Sequence, residues 1–111
     1  LGGPMSKFSD FIDGLKDESG RLAKSELMAL IVSAKKDESD FVRLQAANLE
    51  RWVVMLADGD LTAKGFKKLV KKMEILTELE RIRLSVKARA AAQRLADGIQ
   101  TYVIKQLFAL L

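Results

Sequence analysis

From Leu61 to Leu111 the chain contains no Pro and only two Gly, Gly65 and Gly98. That feature constrains the fold more than any other. All-β domains need a turn about every 8–12 residues, built largely on Gly and Pro. This half of the chain has no such punctuation, but it does have a helical period. Steps of four and three from Ile75 reach Leu79, Ile82, Val86, Arg89, Gln93, Ala96, Gln100, Val103, Leu107 and Leu110, and eight of these eleven positions are apolar. A repeat of about 3.5 residues is the register of a left-handed coiled coil or helical bundle. The polar positions fall in the middle of the seam, where such residues can fix register and oligomer state.

A second stripe lies on roughly the opposite side, with Phe66, Leu69, Val70, Met73, Leu84, Ala88, Ala91, Leu95 and Tyr102. A helix that is apolar on two faces is normally buried on two sides. One face can pack on the chain's own N-terminal helices, and the other then needs a second copy. The alternative is a broken helix whose faces both close inside one monomer. Asp97-Gly98 is the expected break point, or else Gly98 sits within a continuous helix at a cost of about 1 kcal/mol against Ala. A continuous helix from Thr62 to Ala109 would reach about 70 Å at 1.5 Å per residue and would protrude from a domain of this size.

The N-terminal half reads as shorter helices. Phe8, Phe11, Ile12 and Leu15 share one face of a first helix that starts at Ser6 or Ser9 and stops by Ser19-Gly20. Leu1-Gly2-Gly3-Pro4 reads as a cloning scar before Met5, and residues 5–111 as a single domain. A second helix spans about Arg21 to Lys36, with Ala23, Leu27, Leu30, Ile31 and Ala34 on one stripe. Asp37-Glu38-Ser39-Asp40 is a polar break with capping chemistry, although one bent helix also fits. A third helix covers about Ser39 to Ala57. Asp58-Gly59-Asp60-Leu61-Thr62 is the clearest turn, with Gly59 suited to a left-handed C-cap and Asp60 or Thr62 to the next N-cap. The expectation is an all-α bundle of four or five helices with a long C-terminal helix.

Charge is segregated. Ser6 to Asp60 carries eight basic and eleven acidic residues, a net of −3, whereas Leu61 to Leu111 carries eleven and four, a net of +7. Such a split can guide antiparallel packing of the halves, within one chain or between two. Lys64, Lys67, Lys68, Lys71 and Lys72 fall on one face at the start of the long helix. Cations there oppose the macrodipole, and an anionic partner would relieve the strain. The plainer reading of the cluster is a solvated face. No aromatic residues interleave with it to stack bases.

Catalytic chemistry finds no foothold. The chain has no His and no Cys, so the commonest general base, metal ligand and thiolate nucleophile are missing. Asp58, Asp60 and Thr62 imitate the start of an EF-hand loop, but Leu69 stands where its bidentate Glu belongs. Glu74 and Glu78 are spaced for one helix face but lack the His of a di-iron site. No phosphate-binding glycine motif occurs. We expect no catalytic, metal or cofactor site.

The C-terminal residues Ile99, Val103, Ile104, Leu107, Phe108, Leu110 and Leu111 cover about half a helix surface. They suit a bundle or oligomer core, a membrane-surface helix or a docking face; Lys105 alone on the polar side weakens the membrane reading. No apolar stretch reaches the roughly 18–20 residues that span a bilayer, and the expected compartment is the cytoplasm. The sequence therefore predicts a non-enzymatic, self-associating helical scaffold with Ile75, Leu79, Ile82, Val86, Val103 and Leu107 at the homo-oligomer interface. Its alternative is an anionic-surface binder, using the five lysines on an acidic protein, nucleic acid or a membrane.

Overall fold

The computed structural model describes Asp10 and residues 18–107, with side chains at Asp10, residues 25–103 and Lys105. The first helical stripe (Phe8, Phe11, Ile12, Leu15) and the apolar end from Phe108 lie outside the described residues. Every regular element among the described residues is helical. The order is α1 (Glu18–Lys35), α2 (Asp40–Asp58), α3 (Ala63–Glu80), a 3-10 turn (Arg81–Arg83), α4 (Val86–Gly98) and a π-helical continuation (Ile99–Leu107). α1 begins at Glu18, a few residues before the expected start near Arg21, and the end expected for the first helix lies outside the described residues.

Local chemistry sets most of the boundaries. Ser39 takes an extended conformation and its side chain accepts from Val42 N, while Asp37 Oδ2 accepts from Ser39 N at 2.9 Å. These bonds make α1 and α2 two helices rather than one bent one. Gly59 has φ +83°, and the N–H groups of Gly59, Asp60 and Leu61 close over the carbonyls of Leu56 and Met55. Thr62 Oγ1 then accepts from Gly65 N at 3.0 Å and opens α3.

α1 packs on α2 and on α4 with its π-helical continuation, α2 also touches α4, and α3 packs mainly on α2. Leu27 and Ile31 of α1, Leu49 and Val53 of α2, Phe66 and Val70 of α3, and Leu95, Ile99 and Val103 beyond them meet in one buried core. Each buried Leu, Ile, Val or Phe contributes about 1.5–3 kcal/mol through its removal from water.

The long C-terminal helix is where expectation and structure part. It is broken, but not at Gly98. The helical phase is lost at Leu84, which is extended with ψ 151°, and Ser85 restarts it by accepting from Ala88 N at 3.2 Å. Arg89 Nη2 donates to Leu84 O at 3.2 Å and holds the corner. Gly98 instead lies inside a helical rod that changes from α to π winding just after it. The longest dimension of the molecule is 40 Å, well short of the protruding helix that an unbroken segment would require.

Candidate interaction surface

The break at Leu84-Ser85 decides where the two apolar stripes go. The second stripe faces inward, with Phe66, Val70, Met73, Ala91 and Leu95 buried and Leu69, Leu84, Ala88 and Tyr102 partly covered. The upper part of the heptad seam faces outward. Ile75 is 61% exposed, Leu79 66%, Ile82 83% and Val86 80%, with Leu76 beside them at 44%. A lone exposed aliphatic residue is ordinary, but a run of large ones marks an interaction site.

Val103 does not belong to that surface. It is fully buried in the chain's own core, which corrects its assignment to an oligomer interface. The restart at Ser85 resets the helical phase, and the i→i+5 pattern of the π segment shifts it again. A strict four-three count therefore cannot carry one face through both. Ile99 is 2% exposed and joins the same core, so these two residues are bundle core rather than membrane-facing. The side chain of Leu107 lies outside the described residues.

The lysine face is open. Lys64, Lys68, Lys71 and Lys72 are exposed and Lys67 is half-buried. No ion pair engages Lys64, Lys68 or Lys72 among the described residues. Lys64, Lys68, Lys71, Ile75 and Leu79 follow one another at helical spacing, so the outer stripe of α3 changes from cationic to aliphatic midway.

Between the end of α3 and α4 lies a polar cleft of about 190 Å³, lined by Glu74, Thr77, Glu78, Arg81, Gln93 and Asp97 among others. Glu74 Oε1 is buried there without a hydrogen-bond partner. Loss of hydration pushes its carboxyl above the usual value of 4.5, and nearby Lys71 opposes that shift. Behind the cleft, Gln45 is 2% exposed and donates to Thr77 Oγ1 at 3.4 Å, while Thr77 donates to Met73 O. Composition alone did not mark this polar pair; the signal was Gln45 standing on the apolar stripe of α2.

Lys87 Nζ meets Glu38 Oε2 at 3.3 Å and so joins the acidic and basic halves. Both side chains are about 80% exposed, and exposed pairs contribute at most about 1 kcal/mol. The buried apolar core draws on both halves. Among the described residues, no helix is long and apolar enough to cross a membrane, and no three acidic side chains gather as a metal site would require. No family model, curated protein or solved structure matches this chain.

Proposed function

We propose that this chain is a non-catalytic helical interaction protein that self-associates through the exposed row Ile75, Leu79, Ile82 and Val86. One observation carries the reading. These four large aliphatic side chains are each more than 60% exposed while the chain's other apolar stripe is consumed by its core. Burial of such side chains against a second copy releases ordered water and favours association. The row is short, so association is weak and depends on concentration. Cytoplasmic residence belongs to the same proposal, since a Cys-free chain requires no oxidising compartment.

The test is the mass in solution across a concentration series, by light scattering and sedimentation. A dimeric species that grows with concentration is expected, and Ile82→Glu should abolish it. Because Ile82 is 83% exposed, that variant should keep its helical circular dichroism and melting temperature. A wild-type chain that stays at 12.3 kDa at millimolar concentration overturns the reading.

The lysine face supports a second reading, an anionic-surface binder. Lys64, Lys68, Lys71 and Lys72 are exposed at the N-terminal half of α3, where the helix dipole adds to their positive field. Binding to anionic vesicles or duplex nucleic acid that falls steeply with salt supports it. Unchanged binding after three of these lysines are replaced by Gln overturns it.

A further inference from the structure

The corner between α3 and α4 is built like a hinge. No Gly or Pro lies between Gly65 and Gly98, and Arg and Leu fill three of the five positions 81–85; both are good helix formers. Glu80 and Arg81 already have helical dihedrals, and residues 81–83 keep a 3-10 winding. The chain leaves the helical region at Leu84 and Ser85, with ψ 151° and 164°. Their φ values of −87° and −62° are compatible with a helix, so turning two ψ angles brings both residues into the helical region.

The packing around the corner favours such an opening. α3 and α4 face one another across the polar cleft of Glu74, Thr77, Glu78, Arg81, Gln93 and Asp97, where Glu74 Oε1 has no hydrogen-bond partner. Parting them hydrates polar groups and relieves that buried oxygen. The apolar side of α4 is spent elsewhere. Ala91, Ala92 and Leu95 are buried in the core, where α4 packs on α1 and α2. A fused rod from Ala63 to Gly98 would be about 54 Å long at 1.5 Å per residue, longer than the 40 Å molecule. Its α4 could not reach its own α1, which would need another α4 to cover it.

We infer that two copies of the chain associate by exchanging α4 and its π-helical continuation. Residues 81–85 straighten, and the segment from Val86 to Leu107 of each copy takes the place of the other's on α1 and α2. The inference rests on the proposed self-association and adds its mechanism. Exchange remakes the core contacts between chains, so the hinge sets the equilibrium. The closed corner is held by the Ser85 cap, by the Arg89 bond to Leu84 O and by the partial burial of Leu84. The exchanged form gains helical bonds through 81–85. It also covers Ile82 and Val86, 83% and 80% exposed in the closed chain, where the two straightened hinges pass one another.

Two variants of the full chain, read by sedimentation, move the equilibrium in opposite directions. Val86 is the first residue of α4, a position that suits Pro, and the extended Ser85 tolerates a Pro after it. Val86→Pro therefore fits the closed corner but forbids a continuous helix. It should stay monomeric with its melting temperature kept, whereas Val86→Ala should still dimerise. Ser85→Ala removes a cap from each of two chains and should strengthen dimerisation by about thirtyfold. A cross-link identifies exchange directly. Lys87 and Glu38 meet at 3.3 Å, within one chain when closed and between chains when exchanged. The chain has no Cys, so an E38C chain and a size-tagged K87C chain can be refolded together and treated with a short bis-maleimide. A covalent heterodimer is expected. Wild-type dimers without that cross-link between chains, or V86P as dimeric as V86A, overturn the exchange while leaving self-association standing. A strictly monomeric wild type overturns both.

Discussion

A Cβ added to Gly98 would stand 2.4 Å from Leu30 Cδ2, closer than two carbons can sit. The atoms it would meet all belong to the Leu30 side chain of α1, so Leu30 must shift to admit it. The glycine is there for close packing rather than for helix termination. Gly98→Ala gains about 1 kcal/mol of helix propensity and loses about 1–3 kcal/mol through overpacking. A net destabilisation of up to about 2 kcal/mol is expected in denaturant melts. In a Leu30→Ala background the clash is gone, and the same change should become neutral or stabilising. Equal effects of Gly98→Ala in both backgrounds would show that the contact is unimportant.

The division of the heptad seam predicts opposite outcomes for one substitution at two of its positions. Val103 is fully buried and Val86 is 80% exposed. Val103→Ala should destabilise the fold by about 1.5–3 kcal/mol. Val86→Ala should change the stability of the monomer by less than about 0.5 kcal/mol. Thermal melts at a concentration low enough to exclude dimers make the comparison. Similar losses at both sites would restore the single continuous seam.

Ser85 restarts the helix after the corner through its bond from Ala88 N. Ser85→Ala removes that cap and should lower stability by about 1 kcal/mol, whereas Ser85→Asp should retain most of it. The readout is the chemical-denaturation midpoint of each variant. A stable S85A with raised helicity would mean that α3 and α4 fuse when the cap is lost.

Glu74 predicts the direction of a pH effect. Burial raises its carboxyl above 4.5 in the folded state, against the opposing charge of Lys71. The folded chain thus holds this proton more tightly than the unfolded chain does. The ionised carboxylate subtracts stability at neutral pH, and that penalty fades as pH falls from the raised value to 4.5. Glu74→Gln should raise the melting temperature at pH 7, and the advantage should shrink as pH falls toward 4.5. Lys71, Glu78, Arg81 and Asp97 surround the group, so the same scan in high salt separates burial from their fields. A variant that melts lower than wild type at pH 7 would contradict the assignment.

Local signals were legible because they act over a few residues. Ser39, Gly59 and Thr62 hold the cap positions their chemistry suggests, since a cap needs only the backbone groups of the adjoining turn. Both apolar stripes of the C-terminal half were legible for the same reason. The break at Leu84-Ser85 was not, because neither Gly nor Pro marks it. Ser85 was the available signal, a favoured N-cap residue followed by a helix-forming run.

The sequence by itself determined an all-α fold, its α1–α2 and α2–α3 boundaries, and the lack of His and Cys chemistry. Periodicity and capping are properties of neighbouring residues and need no third dimension. Tertiary structure alone decided which stripe became core. Phe66, Val70, Ala91 and Leu95 turn inward, and Ile75, Leu79, Ile82 and Val86 turn outward, although both sets are apolar. One chain has one interior, and the phase change at Ser85 lets α3 and α4 present the same stripe to it. Val103 moved from the expected interface into the core by the same phase shift, and Gly98 became a contact with Leu30 rather than a break. These outcomes depend on where α1 and α2 lie, which no periodicity within the C-terminal half encodes.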